Sequence, residues 1–313
     1  MKNEKSKPVN VEDLRIDQID SVTMLINQLS KSGGFMGYYL SKGVAILKEM
    51  IKEKNCVKWL SFPAAIISTG VRGIIKDALK RRYFDYIVTT CGTLDHDIAR
   101  SVREYYCGEF YADDPKLRRQ NLHRLGSVFI PSVNYGETIE RFMQRFLEDI
   151  YAQGCRELGS YELCRLLGEY VDSEESLLKT AYKSNVLIFI PGIIDGAVGT
   201  QLWLFHQRHR DFRLNLFRDL DKLAEITFKT KRSGALILGG GISKHFLLWW
   251  SQFCGGLDFA VQVTTAQEYD GSLSGSRLSE AITWGMLKET AKHVTIYGDA
   301  TLVLPLLMAA IEG

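Results

Sequence analysis

Three consecutive glycines, Gly239–Gly241, stand between a short apolar run and a helical pattern in the segment LILGGGISKHF. A strand that turns on glycines into a helix gathers backbone N–H groups and the positive end of the helix, an arrangement that suits a phosphate. Glycine is needed there because a Cβ would keep a pyrophosphate at a distance. A tight turn without a ligand explains the same residues, and the dinucleotide fingerprint is incomplete, since Lys244 stands where its third glycine is expected. His245, one turn into the helix, favours chemistry over a bare turn.

A second candidate for chemistry lies in the segment from Thr264 to Met286. Glu280 and Trp284 are four residues apart, so they share one face if this stretch is helical. A carboxylate beside an indole ring attracts an ammonium group through charge and cation–π interaction. The alternative is a surface carboxylate above a packed tryptophan, and His245 has an equivalent alternative as an ordinary helix histidine.

Other chemistries find less support. His206 and His209 have metal-ligand spacing but no third ligand beside them, so we expect no metal site. No G-x-S-x-G motif occurs, which argues against a serine hydrolase of that type. The six cysteines form no CxxC pair, and we interpret them as reduced thiols of a cytoplasmic protein.

Composition narrows the class of protein. The 313 residues are 46% hydrophobic and 24% charged, which is a normal globular balance, and the length allows one large or two ordinary domains. The net charge of +2 is too small to indicate binding to nucleic acid or to an anionic membrane. The N-terminus lacks the apolar region of a secretory signal, and the longest apolar runs are too short to span a membrane.

Elements that alternate along the chain must position these residues. Residues 1–10 are predicted to form a flexible polar arm, followed by one domain over residues 11–313. Apolar periodicity predicts helices at Val11–Leu29, Tyr38–Lys54, Gly70–Lys80, Asp95–Tyr105, Thr138–Ala152 and from Gly196. Short apolar runs predict strands at Tyr86–Thr90, Ser127–Ile130, Val186–Ile190, Ala235–Leu238, Phe259–Thr264 and Val294–Tyr297. The alternation predicts a single α/β domain with a mostly parallel, Rossmann-like sheet covered by helices on both faces.

Small or acidic residues follow five of these strands. They are Thr90–Gly92, Gly192–Gly196, Gly239–Gly241, Thr264–Ala266 and Gly298–Ala300. Each group alone is ordinary turn composition, but parallel strands end at one edge of a sheet, where ligands bind in such folds. Their repetition predicts a nucleotide-binding crevice.

The motifs taken together resemble the deoxyhypusine synthase family, particularly its archaeal form. The resemblance extends over nearly the whole chain after the arm, through ISTGVRGII, VTTCGTLDHDIARS, HRLGSVFIPSVNYGE, IPGIIDGAVG, LILGGGISKH, TAQEYDGSLSG, EAITWG and YGDATLVLPLL. It implies a transferase that uses NAD to oxidise spermidine, expels 1,3-diaminopropane and passes the 4-aminobutyl group to a lysine of translation factor 5A precursor. It also implies a homotetramer whose paired active sites lie at a dimer interface.

The resemblance also assigns site residues. It implies NAD contacts within Ala64–Ser68, chiefly Ser68, and at Thr90, Cys91, Gly92, Asp195, Gly240, Thr265, Ala266, Asp299 and Ala300. It implies a polyamine site at Asp95, His96, His245, Gly271, Ser272, Leu273, Glu280 and Trp284, with His245 as the base.

Several positions depart from the better-known eukaryotic pattern. Ala65 replaces an asparagine, and His96, Thr200 and Leu273 replace acids. The most consequential departure is Met286, which occupies the position of the family's nucleophilic lysine and cannot form an imine.

Lys288 could substitute for that lysine only if Gly285 breaks the helix and redirects the chain. Three hypotheses remain: aminobutyl transfer directly to the acceptor lysine, a non-catalytic NAD-binding paralogue in a mixed tetramer, and aminobutyl transfer to another amine such as putrescine.

Overall fold

The computed structural model describes residues 10–312. The helices are α1 Val22–Leu29, α2 Phe35–Lys52, α3 Val71–Lys80, α4 Gly92–Val102, α5 Asp114–Arg119, α6 Gly136–Ala152, α7 Ser160–Tyr170, α8 Leu177–Ser184, α9 Ala197–Arg208, α10 Phe217–Lys229, α11 Gly241–Ser251, α12 Glu280–Thr283 and α13 Ala300–Glu312. The strands are β1 Cys56–Ser61, β2 Tyr86–Val88, β3 Tyr106–Cys107, β4 Leu122–Leu125, β5 Val128–Pro131, β6 Glu157–Leu158, β7 Leu187–Phe189, β8 Arg213–Leu214, β9 Arg232–Leu238, β10 Leu257–Thr264 and β11 Leu287–Tyr297.

The main sheet has six parallel strands in the order β11-β10-β9-β1-β2-β7. Numbered along the chain, this is the 3-2-1-4-5-6 order of the doubly wound dinucleotide-binding fold, read from the β7 side. The prediction of a parallel, Rossmann-like α/β sheet is therefore confirmed. The strand order reverses between β1 and β9, and such switch points are where ligands bind in this fold.

Helices cover both faces of this sheet, as predicted. On one face α2 and α13 pack over β10, and on the other α11 packs over β1, β2 and β9 with α10 beside it. Side chains alternate along each strand, so Leu60 and Leu236 enter the first core cluster while Trp59 and Ile237 enter the second. The central strand β9 is buried on both sides, which accounts for its continuous apolar run from Ala235 to Leu238, whereas the edge strand β11 is partly exposed.

Three sequence-based assignments were wrong. Ser127–Ile130 does not join the main sheet, because β5 pairs with β3 and β4 in a separate antiparallel sheet. Its place is taken by β1, which the sequence did not indicate because Lys58 interrupts the apolar run. The first helix begins at Val22 rather than Val11, where the Ser21 hydroxyl accepts a hydrogen bond from the N–H of Met24.

Residues 1–9 of the predicted arm lie outside the described residues. Within residues 10–312, none of the helices combines the length and apolar composition needed to cross a membrane.

Candidate functional site

The residues predicted to contact a cofactor lie in the loops that follow the six strands of the main sheet, at what we call its carboxyl edge. Ser68 follows β1; Thr90, Cys91 and Gly92 follow β2; Asp195 follows β7; Gly240 follows β9; Thr265 and Ala266 follow β10; Asp299 and Ala300 follow β11. The glycine turn and the β1 loop flank the switch point. The fold thus brings together residues that are up to 232 positions apart, from Ser68 to Ala300.

The glycine turn has the backbone conformation that its sequence requires. Gly239 and Gly241 both have φ of +70°, in the left-handed region that favours glycine. A Cβ on Gly241 would meet no atom within 4 Å, so the start of α11 is open to close approach. A Cβ on Gly240 would instead stand 2.3 Å from the Cα of Ser274. Gly240 is therefore needed for the packing of a loop, a role that the sequence did not indicate.

A buried lysine of α11 holds that loop, residues 271–276, through hydrogen bonds. Lys244 is 1% exposed, and its Nζ donates to the carbonyl oxygens of Leu273 (2.8 Å) and Ser276 (2.7 Å) and to Ser276 Oγ (2.9 Å). Burial lowers the pKa of Lys244 to about 8, and the carboxylate of Glu280 opposes this effect. The side chain that breaks the dinucleotide fingerprint thus points into the protein, away from any ligand on the glycine turn.

The end of β10 holds the same loop. Gln262 Nε2 and Thr264 Oγ1 both donate to the carbonyl oxygen of Ser274 at 3.2 Å. Gln262 and Ser61 flank Ile237 in register at the switch point. Within residues 10–312, Gln262 Oε1 and Ser61 Oγ are buried without a hydrogen-bond partner. Buried polar atoms are usually paired, so these two atoms are exceptions at the centre of the sheet.

The predicted helical face of Glu280 and Trp284 is only one turn long. Helix α12 ends at Thr283, Trp284 is its C-cap, and Gly285 at φ +69° turns the chain towards β11. Both predicted amine-binding side chains are nevertheless exposed, Trp284 by 65%. An ammonium group therefore has access to both.

His245 lies on the exposed side of α11. Its imidazole is tilted against the indole of Trp249, with ring centroids 6.1 Å apart. Ile242, one turn earlier, is also exposed, as are Ile194 before α9 and Trp203 on α9. Ile242 and Trp249 thus flank the predicted base along the exposed side of α11.

Met286 and Lys288 both lie away from the carboxyl edge. Met286 is 8% exposed in the apolar cluster with Leu247 and Leu278, and its carbonyl oxygen accepts from Ser251 Oγ at 2.7 Å. Lys288 Nζ donates to both carboxylate oxygens of Asp258 at 2.9 Å. Gly285 does break the helix, but it directs Lys288 to the start of β10. Asp258 lies six strand positions, about 20 Å, from Thr264 at the carboxyl end of β10.

Asp95 and His96 are occupied by internal contacts. Asp95 is 1% exposed and accepts hydrogen bonds from the N–H groups of Ala197 and Val198 and from Tyr135 Oη, at 2.8–3.0 Å. It therefore caps the N-terminus of α9. Burial raises the pKa of Asp95, while these three hydrogen bonds lower it. The role of Asp95 and His96 in amine binding remains a prediction. The structure also gives Asp95 a capping role that the sequence did not indicate.

His96 is buried beside two tyrosines. Its Nδ1 lies 3.1 Å from Tyr105 Oη, and its ring centroid is 5.5 Å from that of Tyr135. Burial, reinforced by the positive charge of Arg100, lowers the pKa of His96 to about 4. The imidazole is therefore neutral near pH 7.

The residues that the structure describes contain no group of three or more His, Cys, Asp or Glu side chains able to hold a metal ion. His206 Nδ1 instead lies 2.7 Å from the carbonyl oxygen of Phe212, next to the end of its own helix. The HQRH spacing is thus explained by local structure.

Comparison with known proteins places this architecture in a family. The family model for deoxyhypusine synthase matches residues 24–311. The chain belongs to the deoxyhypusine synthase family. The family consists of transferases, and its name agrees with the resemblance found in the sequence motifs.

Curated relatives and one solved structure agree with this membership. A protein of Thermoplasma volcanium named "Probable deoxyhypusine synthase" is 49% identical over 304 residues, which cover 97% of each chain. A protein of the same name from Sulfurisphaera tokodaii is 45% identical over 314 residues, which cover all of both chains. The crystal structure of a candidate deoxyhypusine synthase from Entamoeba histolytica has a TM-score of 0.66 at 19% identity and covers 96% of each chain, which supports the fold.

Proposed function

We propose that the protein cleaves spermidine with NAD and transfers the 4-aminobutyl group to a lysine of translation factor 5A precursor. The observation that carries the proposal is the convergence at one switch point of an open glycine turn, a helix N-terminus and the loop of residues 271–276. Family membership supports the reaction class.

The residues present fit a dinucleotide. Gly241 leaves its turn open, and the N–H groups at the start of α11 suit a pyrophosphate. Asp195 and Thr265 are exposed after β7 and β10, where the carboxylate can accept hydrogen bonds and the hydroxyl can donate or accept them. When bound, NAD supplies the hydride acceptor for amine oxidation.

The exposed side chains of Glu280, Trp284 and His245 suit an amine substrate. Glu280 and Trp284 provide a carboxylate and an aromatic face for a terminal ammonium group. His245 is exposed and can accept the proton that leaves the secondary amine. Because Met286 carries no amine and Lys288 is paired with Asp258, we propose that the aminobutyl group reaches the acceptor amine without an enzyme-bound imine.

A second copy of the chain would complete this site. Ile242 and Trp249, which flank His245 along α11, are exposed, as are Ile194, Trp203 and Trp284, and exposed apolar surface of this kind favours an interface. We propose a homotetramer with sites at the dimer interface.

Met286 favours one alternative, a partner subunit that binds NAD but depends on a lysine-bearing paralogue for transfer. Incubation of the purified protein with NAD and spermidine separates the two. Release of 1,3-diaminopropane, and labelling of factor 5A precursor by labelled spermidine, are expected for the enzyme. When putrescine is added as well, transfer of label from spermidine to putrescine without labelling of the precursor would identify a small amine as the acceptor. NAD binding without diaminopropane would contradict the catalytic proposal.

A further inference from the structure

A groove with a cavity volume of about 900 Å³ lies at the amino edge of the main sheet, opposite the candidate site. Its walls come from the starts of β1 and β2, the residues before β7 and the second half of α10. The charged residues that line it are Lys54, Lys58, Arg82, Lys222, Lys229, Lys231, Asp85 and Glu225. Cations therefore outnumber carboxylates six to two.

Ion pairs neutralise only part of this charge. Glu225 pairs with Lys222 at 2.8 Å and with Lys229 at 3.2 Å. Across residues 10–312, Lys54, Arg82 and Lys231 have no carboxylate within salt-bridge distance. Lys54, Arg82 and Lys231 follow the C-terminal ends of α2, α3 and α10, in that order. Positive charge at a helix C-terminus also stabilises the helix dipole. These three cations do not by themselves indicate a ligand.

Lys58 has no such explanation. It lies within the buried strand β1 and is 8% exposed. Its Nζ donates to the carbonyl oxygen of Cys56 at 3.0 Å, the one acceptor that the described part of the chain offers it. The carboxylate of Asp85 accepts the backbone N–H of Lys58 at 2.8 Å, but among the described residues no carboxylate lies within salt-bridge distance of Lys58 Nζ.

The neighbouring thiol does not balance this charge either. Burial raises the pKa of Cys56 to about 11, so the thiol is neutral. An ammonium group has three N–H donors, and a buried cation with one neutral acceptor is destabilising. The remaining donors of Lys58 therefore need an anion or water from the groove.

We propose that this groove binds a small molecule carrying a di- or triphosphate, with Lys58 donating to a phosphate oxygen and the exposed cations pairing with the others. Phosphate oxygens are strong acceptors for such donors, and the volume is that of a small-molecule site, roughly 300–1,000 Å³. The groove lies about 16 Å across the sheet from the carboxyl edge, so the proposal is independent of the reaction assigned to that edge.

Thermal unfolding and calorimetry with inorganic pyrophosphate and tripolyphosphate test the proposal, at constant ionic strength set with chloride. Low millimolar pyrophosphate is expected to raise Tm of the wild type. Lys58→Met is expected to unfold at a higher temperature than the wild type without pyrophosphate, because it removes a poorly compensated buried charge. The same variant is expected to bind pyrophosphate about tenfold more weakly or worse.

Matched variants separate the outcomes. Lys231→Met removes an exposed cation and is expected to weaken pyrophosphate binding by less than Lys58→Met. Lys58→Arg keeps a buried cation and is expected to retain most of the response, which keeps the test valid if Lys58→Met does not fold. An equal Tm increase in the wild type and in Lys58→Met would overturn the proposal. Binding of RNA without any response to pyrophosphate would also overturn it.

Discussion

Ser274 lies directly on Gly240, so that a Cβ on the glycine would stand 2.3 Å from the Cα of the serine. The glycine turn and the loop of residues 271–276 are therefore one structure. A change in either is expected to disturb both ligands of the proposed reaction.

Gly240→Ala tests this coupling. The added methyl group is expected to displace the loop and to weaken NAD and spermidine binding together, measured by calorimetry for each ligand. Gly73→Ala is the matched control, because its methyl group meets no atom within 4 Å on helix α3 and is expected to stabilise the fold by about 1 kcal/mol. Loss of NAD binding with unchanged spermidine affinity would show that Gly240 acts on the dinucleotide alone.

Lys244→Met removes the three hydrogen bonds from Nζ to the loop. Bonds from a charged donor contribute about 1.5–3 kcal/mol each at most, and water can replace some of them, so we expect a loss of about 2 kcal/mol in unfolding free energy. Hydrogen exchange of residues 271–276 should accelerate, while that of β1 should not. Lys244→Arg is expected to restore part of the protection. Unchanged exchange in Lys244→Met would contradict the anchoring role.

His96 is expected to make the fold sensitive to acid. In the folded protein its pKa is lowered from 6.5 to about 4. Between these values the unfolded chain binds a proton that the folded protein does not, so stability falls as pH falls from 6.5 to 4. The difference corresponds to about 3 kcal/mol.

His96→Gln should remove this part of the pH dependence, measured by urea unfolding at a series of pH values. His123→Gln is the control, since His123 is exposed. Parallel stability curves for wild type and His96→Gln would exclude His96 as the cause.

Trp284→Ala tests the amine site. The loss of a cation–π contact and its packing is expected to weaken spermidine binding by roughly 1–2 kcal/mol. NAD affinity should change far less, because the side chain is exposed and the glycine turn packs against Ser274 instead. Trp249→Ala provides a comparison beside His245. Equal loss of both ligands in Trp284→Ala would indicate a general structural defect instead of a local contact.

Met286→Lys introduces an amine at the position that the sequence resemblance assigns to the nucleophilic lysine. Since the site is buried among leucines, we expect the variant to be about 1–3 kcal/mol less stable than the wild type. With NAD and spermidine it should form an adduct that borohydride traps, whereas wild type and Met286→Leu should not. An adduct in the wild type that disappears in Lys288→Met would show that Lys288 leaves Asp258 and substitutes.

The sequence predicted the features that depend on local pattern. Tyr86, Val186, Ala235 and Phe259 begin or precede apolar runs that form strands, and the small residues after them meet at one edge because parallel strands all end there. The sequence did not predict the core strand Cys56–Ser61, because Lys58 interrupts its apolar run. It also assigned the apolar run that forms Val128–Pro131 to the main sheet, whereas this strand belongs to another sheet.

Long-range contacts account for the remaining surprises in the site. Lys244 meets its acceptors about 30 residues later, and Asp95 caps a helix about 100 residues away. No spacing rule within a single sequence relates such positions. From the sequence alone, Lys244 and Asp95 are equally compatible with exposed surface charges.

Helix α11 is bound to the segment of residues 271–286 at both ends, by Lys244 at the start and by Ser251 at the finish. The two pieces are therefore expected to open and close together, so that a fluctuation that frees the glycine turn also frees Glu280 and Trp284, the proposed amine-binding residues. A ligand that suppresses this fluctuation reduces the entropic cost of ordering the site when a second ligand binds. NAD and spermidine would then strengthen each other's binding by the same factor, whichever arrives first.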